Sequence, residues 1–134
     1  MVRLIVILFL FSWSVSAMPQ NLIRNPSFEE GAEAPAHWLF WTRTTGQGAW
    51  DDQVARTGRR SVRIVGAEGN ENWSQRGIPI QPNSLYRFRV WVKQRGCYPW
   101  PPDVVVTAHD GERRALQSWQ FRGRPGTREW YLLE

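Results

Sequence analysis

The chain has 134 residues, with 17 Lys and Arg against 12 Asp and Glu, a net charge of +5. That length leaves room for a single domain. One cysteine, Cys97, excludes an internal disulfide framework, so a hydrophobic core must carry the fold, alone or with help from a metal ion.

The chain opens on a leader. Met1-Val2-Arg3 is a short positive region, Leu4 to Phe11 is an unbroken apolar run, and Val15-Ser16-Ala17 offers the small residues of a cleavage site. This is the pattern of a secretory signal peptide over residues 1–17, cut after Ala17. An uncleaved anchor is the alternative, but a span needs about 20 apolar residues and this run is broken by serines. The protein is therefore expected to be secreted, periplasmic or on the cell surface, with no membrane partner after cleavage. Residues 18–134 form the mature part, 117 residues with a net charge of +4 once Arg3 is removed. Its basic excess is almost entirely Arg, sixteen in the whole chain against one Lys, Lys93. Such a surface suits an acidic polymer outside the cell, a uronate-bearing or sulfated glycan. It equally serves to keep a Trp-rich protein soluble.

Asn21 to Gly31, NLIRNPSFEEG, follows the leader and is rich in turn chemistry. Its adjacent carboxylates, Glu29 and Glu30, read either as an ordinary solvated turn or as a metal-holding corner. Beyond it the pattern is short alternating runs separated by Gly, Pro, Asn and Asp, which predicts an all-β sandwich or barrel. Thr57-Gly58-Arg59-Arg60 turns into a strand over Ser61 to Val65, with Val62 and Ile64 on one face and Arg63 on the other. Gln81 to Ser84 turns into the clearest strand, Leu85 to Lys93. Tyr86, Phe88, Val90 and Val92 make its core face; Arg87, Arg89, Trp91 and Lys93 make the other. Tyr98 to Pro102 is a stiff loop, because three of its residues lack a backbone donor. Further strands are expected over Asp103 to Ala108, Leu116 to Phe121 and Glu129 to Leu133, with an Asp-Gly turn at Asp110-Gly111.

Catalysis finds little support. His37 and His109 have no metal-ligand spacing between them, and no nucleophile elbow, phosphate loop or zinc motif occurs. Asp51 and Asp52 are neighbours, so in a strand they point to opposite faces and cannot flank one glycosidic bond.

Tryptophan is the unusual feature, with eight in the mature part. A flat indole excludes water from the C–H face of a pyranose while nearby polar groups fork to its hydroxyls. Trp91 suits this role, two residues from both Arg89 and Lys93. Trp50 stands beside Asp51 and Asp52, and Trp73 near Asn70, Asn72 and Gln75. Trp91, Arg89, Trp50, Trp73 and Arg87 are the candidate carbohydrate-binding residues. For each Trp the alternative is packing, since Trp is highly buried on average. Basic residues interleaved with aromatics also suit single-stranded nucleic acid. The signal peptide argues against that partner.

The order of motifs adds a further reading. NPSFEEG is followed by Pro35-Ala36-His37-Trp38, then Arg56 to Val62, then Ile78-Pro79-Ile80-Gln81-Pro82, then Tyr86 to Lys93. This series resembles the CenC-like carbohydrate-binding modules of the family 4/9 type, within the galactose-binding-like jelly rolls, over about residues 21 to 133. Pro82-Asn83 replaces the family's Pro-Gly turn, a mild change because Asn tolerates the left-handed conformation. The resemblance implies an antiparallel β-sandwich and a non-catalytic polysaccharide- or oligosaccharide-binding module, an appendage of a glycoside hydrolase. It implies a structural calcium held by the Glu29 carboxylate and by the carbonyls of Ser27 and Arg60, with an Asp near the domain's end as a further ligand. It also implies that the domain is incomplete at its C-terminus, since the family usually adds strands and that Asp beyond the point where this sequence stops, with a hydrolase domain expected beyond. The galactose-binding-like fold hosts many functions, so a structural or adhesive sandwich without sugar binding is the alternative.

Overall fold

A computed structural model describes residues 20–66 and 71–134. The leader and Asn70 lie outside the described residues. The described chain contains eight strands and no helix: β1 (Leu39–Trp41), β2 (Gln47–Asp51), β3 (Ser61–Val65), β4 (Asn72–Ser74), β5 (Val90–Cys97), β6 (Asp103–His109), β7 (Ala115–Arg122) and β8 (Gly126–Leu133). They pair antiparallel as β1–β4, β2–β3, β5–β8 and β6–β7. The expected all-β, antiparallel class is what the chain adopts.

Alternation and turn chemistry account for the clearest pairs. β6 and β7 are joined across Asp110, whose carboxylate accepts the backbone N–H groups of Glu112 and Arg114 at 2.9 Å each and the Arg114 Nε–H at 2.8 Å. This Asx-type closure is the reason Asp serves at such a turn. β3 matches its expected bounds, while β7 and β8 begin earlier than the sequence pattern indicates.

The strand expected over Leu85 to Lys93 is displaced. It runs from Val90 to Cys97, because those residues find β8 as a partner, starting from the pair Val90 and Leu133. Leu85 to Arg89 alternate in sequence but stand outside the ladder. Tyr86, assigned to the core face, is 43% exposed, and its hydroxyl accepts the Gln81 N–H at 2.6 Å. Phe88 on the same face does pack, stacking on Phe121 with centroids 5.8 Å apart.

Among the described residues the hydrophobic core has no buried member, whereas the polar Asn25, Asp51 and Gln94 are buried at 5–7% exposure. The expected hydrophobic core is replaced here by half-buried ring pairs and by polar anchors, each satisfied as burial requires. Gln94 fills the irregular register of β5 and β8. Its Nε2 donates to the carbonyls of Arg124 (2.6 Å) and Gly126 (2.9 Å), and its Oε1 accepts the Tyr131 hydroxyl. Phe40 pairs with Trp73 at 5.2 Å and lies against Gly48, where an added Cβ would fall 2.4 Å from the ring. That close approach between β1 and β2 requires glycine.

Candidate functional site

The segment after the leader is organised by Asn25. At 7% exposure, its Nδ2 donates to the carbonyls of Glu30 (2.8 Å) and Ala36 (3.1 Å), and its Oδ1 accepts the Glu30 N–H (3.1 Å). Its φ of 46° lies in the left-handed region that Asn tolerates. The Asn25 carbonyl accepts the Trp38 indole N–H at 3.1 Å, and Trp38 packs on Phe28 with centroids 4.9 Å apart. The Asn-Pro turn therefore ties the first motif to the second.

Trp50, on β2, closes this corner from the other side. Its indole N–H donates to the Phe28 carbonyl at 2.6 Å, its ring edge lies against Gly31, and the Arg60 guanidinium covers the ring at 4.0 Å. Beside it, Glu29 Oε1 accepts the backbone N–H groups of Arg59 (2.9 Å) and Arg60 (3.0 Å). Gly58, with φ +68°, makes room: a Cβ there would stand 2.3 Å from Glu29 Oε1. Successive N–H groups in a turn form an anion-holding concavity, here filled by a carboxylate from the chain itself. Glu29 and Arg60 are thus brought together. Ser27 is exposed on the same segment.

Trp91, on β5, is 42% exposed. The Arg56 guanidinium lies over its ring, 3.6 Å from the centroid, so the loop between β2 and β3 reaches across to the β5–β8 pair. Arg89 stands exposed just before β5. Arg87 lines a shallow cavity of about 400 Å³ with Leu85, Tyr86, Phe88, Phe121 and Glu134. Trp73 is engaged elsewhere: its indole N–H donates to the Arg63 carbonyl at 3.2 Å while its ring faces Phe40. Lys93 is paired with Glu129 at 2.7 Å.

Asp51 ends β2 and Asp52 stands just beyond it, so the two do not alternate within one strand. Asp51, 5% exposed, pairs with Arg63 Nε at 3.2 Å across the ladder and accepts the Gln53 N–H at 2.9 Å. Asp52 accepts from the Gln53 side chain at 2.6 Å. Among the described residues no group of three or more His, Cys, Asp or Glu side chains is placed to hold a metal ion.

The profile of the family 4/9 carbohydrate binding domains matches residues 20–127. The chain belongs to this carbohydrate-binding family. Comparisons with curated proteins and with solved structures found no match. The family's all-β architecture agrees with the antiparallel strand pairs described above, and carbohydrate is the partner class that membership assigns.

Sequence reasoning missed Arg56 and Gln94. Arg56 sits ahead of a Thr-Gly turn, and nothing local links it to a tryptophan on β5. Gln94 lies just past the alternating run, where a buried polar residue breaks the pattern.

Proposed function

We propose that the protein is a non-catalytic module of an exported protein, holding polysaccharide or oligosaccharide and serving an associated glycoside hydrolase by tethering it to substrate. Tethering raises the local concentration of an enzyme without any new catalytic contact. The observation that carries the sugar-binding site is Trp91, a half-exposed indole on a strand face that also bears charged side chains. Trp50 and Trp73 support it less directly, because their indole N–H groups are already engaged within the fold, whereas Trp91 has, among the described residues, only the Arg56 guanidinium over its ring.

Calcium at the Glu29 corner belongs to the same reading. The donor chemistry fits: Glu29 makes no ion pair among the described residues, its Oε1 is fixed by two N–H groups, and its Oε2 accepts no hydrogen bond among them. With the carbonyls of Ser27 and Arg60 it would supply hard oxygen ligands, the remainder of the six to eight that calcium takes coming from elsewhere, water included. The ion would neutralise the carboxylate and brace the segment after the leader.

The test is a glycan-panel screen of the protein beside Trp91→Ala. Binding that is lost or strongly weakened in Trp91→Ala supports the reading. Binding to no glycan would favour a structural or adhesive role.

A further inference from the structure

We propose that Arg56, stacked on Trp91, forms with it a subsite that reads the carboxylate of a uronate-bearing glycan. This rests on the carbohydrate-binding role of Trp91 proposed above and names the class of sugar bound there.

The Arg56 guanidinium sits 3.6 Å from the Trp91 centroid. A cation this close over an indole face is held by attraction to the ring. A guanidinium is a planar fork of N–H donors that can meet a carboxylate with two parallel hydrogen bonds. Arg56 is exposed and forms no ion pair or side-chain hydrogen bond among the described residues.

None of Asp51, Asp52 and Glu29 forms an ion pair with Arg56. Asp51 is held by Arg63 and the Gln53 N–H, Asp52 by the Gln53 side chain, and Glu29 by the N–H groups of Arg59 and Arg60. Lys93, two residues along β5 from Trp91, is neutralised by Glu129. Arg56 therefore carries a charge with no ion-pair partner among the described residues, over a half-exposed indole. Arg89, two residues before Trp91, forms no ion pair among the described residues either and adds a second positive charge near by. A neutral pyranose stacking on the covered Trp91 face must first displace Arg56. A uronate instead finds its carboxylate's partner already in place, with its ring beside the same indole.

The experiment is isothermal titration of the protein with acidic oligosaccharides rich in galacturonate or glucuronate. Their methyl-esterified forms, a neutral oligosaccharide and a sulfated one are titrated alongside. Esterification removes the charge and leaves the sugar ring, and is expected to weaken binding by about tenfold or more. Arg56→Ala is expected to bring acid and ester to the same affinity while the melting temperature stays near that of the unaltered protein. Arg56→Lys, a point charge without the fork, is expected to retain only part of the preference. An acid preference that survives Arg56→Ala overturns the proposal. So does equal binding of acid and ester, or tighter binding of the sulfated oligosaccharide. Equal binding of acid, ester and neutral sugar that still depends on Trp91 leaves the carbohydrate-binding site standing and removes only the uronate assignment. Binding to none of them removes both.

Discussion

The Trp50 indole N–H donates to the Phe28 carbonyl at 2.6 Å, joining strand β2 to the segment that follows the leader. The bond pins a residue whose own φ, +62°, lies in the left-handed region. A non-glycine residue holds that conformation only where its surroundings impose it. Trp50→Phe keeps a ring beneath Arg60 but leaves the carbonyl without its donor. The substitution is expected to cost about 1–2 kcal/mol, read as a lower urea midpoint.

Asn25 carries more. Three side-chain hydrogen bonds and a left-handed backbone meet at one buried residue. Asn25→Ala loses the bonds and strains the backbone, for an expected loss of about 2–4 kcal/mol. Asn25→Gly loses the bonds alone and is expected to cost less. Chemical denaturation of the pair separates the two contributions; equal losses would contradict the backbone part.

Gly58 controls where Glu29 sits. Gly58→Ala places a Cβ against Glu29 Oε1 at a position with positive φ. It is expected to cost at least about 1 kcal/mol and to push the carboxylate out of its turn. If Glu29 holds calcium, the unaltered protein gains melting temperature with added calcium and loses it in chelator, by mass action. Glu29→Gln and Gly58→Ala are then expected to abolish that response. An unaltered protein indifferent to calcium and chelator would remove the metal from the account.

Two groups give stability a pH dependence. Side-chain hydrogen bonding to Arg114 holds the Asp110 carboxyl below its ordinary range, assisted by the Arg114 and Glu112 backbone N–H groups. A depressed folded-state value stabilises above the unfolded carboxylate range and fades as pH falls through the folded value, below about pH 4. Burial pushes the Tyr131 hydroxyl up. That contribution is full below the unfolded phenol range, near pH 10, and fades as pH rises through the folded value. Thermal melts of Asp110→Asn across acidic pH and of Tyr131→Phe across alkaline pH are expected to show shallower slopes than the unaltered protein at their respective ends. Unchanged slopes would contradict both assignments.

The strands most legible in the sequence are those whose alternation coincides with a pairing partner, such as Ser61–Val65 and Asp103–His109. Three were not legible. Leu39–Trp41 and Asn72–Ser74 are too short for a period-two pattern to register, and Gln47–Asp51 contains Gly48, which reads as a break but serves the Phe40 ring. Leu85 to Arg89 shows the opposite error: a clear alternation that finds no partner strand. At the site, the nearness of Glu29 and Arg60 was legible because family motifs fix their order. Arg56 on Trp91 was not, since it joins a loop to a distant strand and leaves no local spacing to read.

Trp91 as a sugar-binding face is tested most directly by glycan affinity compared between the unaltered protein and Trp91→Ala. Measurable binding to at least one polysaccharide is expected, weakened by at least about tenfold in Trp91→Ala, with the fold unchanged by circular dichroism. Binding of equal strength in the two proteins would contradict it.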